Sequence, residues 1–107
     1  GASVVLVGRK FDKLLAASNT LRGEKQKDSV GDHQQQDGLH FLNNDRILIC
    51  QCNIRCQQSI ENCMKIIGQH YKTLHVLVNN AGGQFMSFAN SISENGWRAV
   101  IDTNLNG

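Results

Sequence analysis

Two consecutive side-chain amides followed by small residues, Asn79-Asn80-Ala81-Gly82-Gly83, are the sharpest chemical signal in this chain. Amides can bond neighbouring strands, and residues without bulk let the backbone approach a flat ligand closely. The same run also suits a turn between a strand and a helix. A guanidinium and an ammonium stand side by side at Arg9-Lys10, directly after Gly8. Such a pair either binds a phosphate through charge-assisted hydrogen bonds or is two solvated charges at a helix start. Asn53 carries an amide that can meet a nucleobase edge or close a turn, and Asn104 stands within Thr103-Asn104-Leu105 near the end of the chain. Cys50, Cys52, Cys56 and Cys63 cluster but lack the paired C-x-x-C spacing of tetrahedral zinc sites. They are expected to be reduced, structural thiols, with no metal site and no disulfide framework.

These residues need elements to hold them, and the apolar pattern names the elements. Val4-Val5-Leu6-Val7 is a short β-branched run, which predicts a strand buried on both faces. After it, Phe11, Leu14, Leu15, Ser18 and Leu21 fall at helical spacing. From Gly23 to Asp45 the composition turns polar and includes Gln34-Gln35-Gln36. This stretch is expected to be an exposed loop insertion, either an interaction segment or simply solvated. Ile47-Leu48-Ile49-Cys50 predicts a second strand, and Ile60, Cys63, Met64, Ile67 and Tyr71 mark the buried face of a second helix. Val76-Leu77-Val78 predicts a third strand leading straight into the paired amides, and Gly96 to Asn104 a further helix bearing Trp97, Val100 and Ile101. Strands alternating with helices in this way imply an α/β fold, a parallel sheet covered on both faces.

Composition narrows the function classes. A chain of 107 residues with 40% hydrophobic and 19% charged residues fits one soluble globular domain. Its formal charge of +2 is too small to attract nucleic acid or a membrane surface on electrostatic grounds. No apolar run approaches the ~20 residues of a membrane span, and no signal-peptide pattern opens the chain.

In an open parallel sheet, ligands bind beyond the strand ends, which is where Arg9, Asn53 and Asn79 all fall. Dinucleotide-binding sheets that take NAD place an acidic residue at the first of these positions, and those that take NADP place a basic one. Val76 to Gly82 resembles the Asn-Asn-Ala-Gly motif of the short-chain dehydrogenase/reductase family. Asp102-Thr103-Asn104-Leu105-Asn106-Gly107 is similar to the family's later Asn-containing helix segment, at the right spacing. Together with Val4 to Lys10 and Cys52-Asn53-Ile54, the likeness covers nearly all the chain except the polar insertion.

That resemblance implies a Rossmann-like dinucleotide-binding domain of which residues 1–107 are an internal fragment. On this expectation the family's first strand and Gly-rich loop precede Gly1, and the catalytic Ser and Tyr-x-x-x-Lys follow Gly107. Tyr71-Lys72 is no substitute, since adjacent residues do not share a helix face. The implied cofactor is NADP(H), with Arg9 and Lys10 at the 2′-phosphate, Asn53 at the adenine, and Asn79, Ala81 and Gly82 lining the nicotinamide ribose. Asn104 matches the Asn of the catalytic tetrad. Many relatives have Asp where Asn53 stands, so hydrogen bonding is kept and a charge lost. Cys52-Asn53-Ile54-Arg55 and Gly82-Gly83-Gln84-Phe85 with Gly96-Trp97 are similar to the branch that reduces trans-2-enoyl-CoA, with 2,4-dienoyl-CoA reduction as the alternative. The implied partners are an acyl-CoA thioester and further copies of the full-length chain, and the implied compartment is the peroxisome. Gln84 and Phe85 then either face the acyl chain or, in the case of Phe85, serve packing. A non-catalytic Rossmann-like binding module is the competing class, and retention of Asn104 argues against it.

Overall fold

The computed structural model describes residues 1–23, 32–36, 39–44 and 46–107. Its elements in chain order are β1 (Val4–Gly8), α1 (Phe11–Arg22), β2 (Asp32–Gln36), β3 (Leu39–Asn44), β4 (Ile47–Gln51), α2 (Gln57–His70) and α3 (Glu94–Asn104). The four strands form one sheet in the order β1-β4-β3-β2. β1 and β4 run parallel, in register from Val4 opposite Ile47 to Gly8 opposite Gln51.

The β4 strand explains why the molecule has two cores. Successive strand residues point to opposite faces, and Leu48, Ile49 and Cys50 are all fully buried. Leu48 and Cys50, with Cys52 just beyond, pack against Cys63, Ile66 and Ile67 of α2. Ile49 packs with Leu14 of α1, and Leu6, Phe11, Leu15 and Ile47 close around them. Helices therefore cover both faces, and the architecture is an incomplete Rossmann-like fold. Each fully buried aliphatic side chain contributes about 1.5–3 kcal/mol relative to exposure.

Local signals set the helix ends. α1 stops at Gly23, whose φ of 72° is left-handed and whose N–H donates to the Asn19 and Thr20 carbonyls. A residue without Cβ adopts that cap at no steric cost. α3 starts after Ser93, whose hydroxyl accepts the Gly96 N–H at 3.1 Å, satisfying one of the donors a helix N-terminus leaves open.

Two expectations are corrected. Residues 32–36 and 39–44 lie inside the stretch read as a loop, yet they form an antiparallel pair, and β3 also runs antiparallel to β4. The hairpin satisfies the edge of β4 that would otherwise present unpaired backbone groups. Gln36 pairs with Leu39, and in sequence the two are separated by Asp-Gly, a short-range hairpin signal that the polar composition concealed. Other parts of the expected loop lie outside the described residues. The predicted third strand, Val76-Leu77-Val78, is not a strand: it pairs with none among the described residues, and its side chains are 73%, 71% and 76% exposed. Strand formation requires a neighbour to complete the ladder, and none of the four strands lies against it.

Candidate functional site

The expected site residues fall into two groups. The first lies where β1 and β4 end together. Past Gly8 the Cys52 N–H donates to the Gly8 carbonyl at 2.8 Å, and the Gln51 side-chain amide donates to the Arg9 carbonyl at 2.9 Å. These bonds tie the Arg9-Lys10 turn to the end of the neighbouring strand. Both basic side chains are exposed, and Lys10 is the N-cap residue of α1, with extended backbone and no side-chain cap bond. A phosphate monoester placed there meets two cations at a helix N-terminus.

Asn53 follows directly. Its N–H donates to the Ser59 hydroxyl at 2.9 Å, and its side-chain oxygen accepts the Arg55 N–H at 3.2 Å. The Cys56 N–H closes the turn on the Asn53 carbonyl at 3.0 Å. Asn53 is thus held in a tight turn that leaves its side-chain NH₂ as the group available to a base edge.

The second group is the paired-amide segment and α3. Asn104 grips Gly83 at both ends of its peptide: its Oδ1 accepts the Gly83 N–H at 2.8 Å and its Nδ2 donates to the Gly83 carbonyl at 2.9 Å. A Cβ on Gly82 would stand 3.2 Å from that same Oδ1, so the small residues are what allow Asn104 to sit this close. Two residues on, the Phe85 ring lies over Gly96 so tightly that a Cβ there would fall 2.5 Å from ring carbons. Gly96 is the one buried residue of α3. Asn79 and Ala81 are exposed ahead of this clasp, and the Asn80 N–H donates to the Val78 carbonyl at 3.1 Å across Asn79.

The structure therefore brings Asn104 onto the Gly82-Gly83 turn and Arg9 and Lys10 beside the end of β4. What connects the two groups is an ion pair, Arg55 to Asp102 at 3.4 Å, between the turn after β4 and the α3 helix. An open groove of about 500 Å³ borders this pair, lined also by Ile54 and Ile60 but not by Arg9, Asn79 or Asn104. Gln51, Ser59, Gly83 and Gly96 were not anticipated as site residues. Gln51 was readable as the strand residue opposite Gly8; a single Ser59 on a helix gave no signal.

The model of the short chain dehydrogenase family matches residues 32–107, more than half of the chain and inclusive of Asn53, the paired amides and Asn104. The chain belongs to that family. This short-chain dehydrogenase chain is 31% identical over all its residues to the peroxisomal 2,4-dienoyl-CoA reductase [(3E)-enoyl-CoA-producing] of Arabidopsis thaliana, of which it covers 30%. It is 35% identical over 57 residues, 53% of its length, to the probable 2,4-dienoyl-CoA reductase [(2E)-enoyl-CoA-producing] of Bacillus subtilis (strain 168), covering 22% of that protein. With the NADP-dependent 3-hydroxy acid dehydrogenase YdfG of Salmonella typhi it shares 28% identity over 108 aligned positions, all of this chain and 35% of the relative. Among solved structures, serine dehydrogenase from Escherichia coli superposes with a TM-score of 0.70 at 24% identity, over 99% of this chain and 39% of that one. The last comparison concerns the fold. The short-chain dehydrogenase chain spans about a third or less of the length of these curated relatives. No helix among the described residues is long and apolar enough to cross a membrane.

Proposed function

We propose that this chain is the part of an NADPH-dependent reductase that presents the cofactor's adenine end and the floor of the nicotinamide site, and that the whole protein reduces the double bond of a trans-2-enoyl-CoA. The observation that carries the reading is the Asn104 clasp on Gly83. It joins in one unit the two Asn-containing segments that match the family's motifs, which supports reading Asn104 as the Asn of the tetrad. NADPH, when bound, supplies the hydride.

The chain's own residues fit that cofactor chemically. Arg9 and Lys10 offer exposed cationic donors beside the end of β4, suited to the 2′-phosphate that distinguishes NADPH from NADH. Asn53 offers its NH₂ to the adenine from a turn fixed by Ser59 and Arg55. Asn79, Ala81 and Gly82 expose backbone and little side-chain bulk towards the nicotinamide ribose. Asn104 keeps Gly83 in place with both halves of its amide, and so orients the segment that Gln84 and Phe85 extend towards the acyl chain. In the full-length reductase it also holds the tetrad's water. The strand between β1 and Val76-Leu77-Val78, the Gly-rich loop, and the Ser, Tyr and Lys of the tetrad come from the rest of the protein, which acts as a homo-oligomer in the peroxisome.

A second reading, reduction of 2,4-dienoyl-CoA, is favoured by the activity for which the Arabidopsis and Bacillus relatives are named. Both readings are tested by following NADPH oxidation in the intact purified protein with trans-2-enoyl and 2,4-dienoyl thioesters. Turnover of the 2-enoyl thioester supports the first, turnover of the diene alone supports the second, and turnover of neither removes both.

A further inference from the structure

The four cysteines take no part in the function proposed above, yet they are gathered at one place. Cys50 and Cys52 lie on the face of β4 covered by α2, where Cys63 is buried with them. A thiol hydrogen bond between Cys63 and Cys50 favours the thiolate at Cys50 and pushes Cys63 well above the usual thiol range. Cys52 lies against Ser59, its sulfur 3.5 Å from the Ser59 carbonyl oxygen and 3.7 Å from the hydroxyl that donates to it. All four are free thiols, and Cys56 is the exposed one. It is the N-cap residue of α2, and the turn that separates it from Cys52 is closed by its own N–H on the Asn53 carbonyl.

We propose that Cys56 and Cys52 form a redox-modifiable pair, in which a small-molecule disulfide of the glutathione type enters at exposed Cys56 and is resolved by Cys52 into an intramolecular Cys52–Cys56 disulfide. The Cys56 thiolate attacks one sulfur of the small disulfide, forming a mixed disulfide and releasing one small thiolate. The Cys52 thiolate then attacks the Cys56 sulfur, and the second small thiolate leaves. Two protein thiols are oxidised and one disulfide is reduced to two small thiols, which take up the two protons the cysteines lose.

Exposure decides the order, because the oxidant reaches Cys56 and not the buried sulfurs. Burial pushes the Cys52 thiol up, only partly offset by its bond to Ser59, so resolution is the slower step. Transfer onward to Cys63 is held back further, since its proton is retained both by Cys50 and by burial. The pair matters because Asn53 lies between the two cysteines in the chain. Drawing Cys52 off Ser59 loosens the residue whose hydroxyl holds the Asn53 N–H at 2.9 Å, and with it the turn that presents Asn53.

Trypsin cleaves after Arg55, between the two cysteines, so the disulfide links peptide 47–55 to peptide 56–65. The intact native protein carrying these residues is incubated with glutathione disulfide, digested without reduction and mapped by mass spectrometry. The expected result is a linked peptide pair in the wild type and in Cys63→Ser. Cys56→Ser, a surface change that leaves the core intact, loses both link and mixed disulfide. Cys52→Ser stops at the mixed disulfide on Cys56. Absence of the link in the wild type, or a link that survives Cys56→Ser and vanishes in Cys63→Ser, overturns the proposal.

Discussion

Asn104 and Gly96 show how much of this site depends on what is small. The amide of Asn104 reaches both ends of the Gly83 peptide because Gly82 leaves it room, and the Phe85 ring settles on α3 because position 96 has no Cβ. Gly96→Ala is expected to displace the ring and cost about 1–3 kcal/mol of stability, as overpacking does. Thermal unfolding of the intact protein measures the loss, and on the proposed reading the KM for the acyl thioester should rise because Phe85 would move. On the proposed reading Arg9 acts by charge, and Arg9→Glu would remove a charge-assisted contact of about 1.5–3 kcal/mol with the 2′-phosphate. The ratio of kcat/KM for NADPH over NADH should therefore fall about tenfold to a hundredfold, with the fold unchanged, since the side chain is exposed. Arg9 was legible in sequence as a basic residue just past a strand, and Asn104 through the family motif it resembles. Ser59 was not, because a helix serine announces nothing about the turn that reaches back to it.

Among elements, β1, β4, α1 and α2 were readable from periodicity, since burial against a neighbour imprints a local pattern, and α3 was readable from the spacing of Trp97, Val100 and Ile101 although it buries only Gly96. The buried face of α2 comprises Cys63, Ile66 and Ile67, while Ile60 and Met64 of the expected stripe are 36% and 49% exposed. Several apolar stripes were available on that helix, and the geometry of β4 selected one. The hairpin and Val76-Leu77-Val78 went the other way, because strand formation depends on a distant partner: a polar stretch became strand by pairing with β4, and an apolar run without a neighbour did not. The thiols between β4 and α2 give this interface a pH signature. Cys63 holds its proton more tightly in the fold than in the unfolded chain. Its contribution to stability is therefore fully present below the unfolded thiol pKa of about 8.5 and is lost as the pH rises above it. Cys50, shifted down, works in the opposite sense below that pKa, gaining stability as the pH rises towards it. Urea midpoints of the intact protein should fall as the pH rises beyond about 8.5, and fall less in Cys63→Ala.

For the whole molecule, the sheet order β1-β4-β3-β2 leaves β1 at one edge with Val4 and Val7 40% and 44% exposed. The run Val76-Leu77-Val78 is barer still, and α3 buries little but Gly96. Uncovered strand edges and apolar faces of this kind favour association and weaken cooperative folding. The 107-residue chain by itself is accordingly expected to bind NADPH negligibly, and isothermal calorimetry giving tight binding would show that it forms a complete cofactor site. Hydride transfer is a property of the intact protein and is followed with an isotope label. Turnover of a trans-2-enoyl thioester with NADPH deuterated at the transferable position should leave the label on the β-carbon of the saturated product. An unlabelled product, or none, contradicts the assignment of this chain to an NADPH-dependent enoyl reductase.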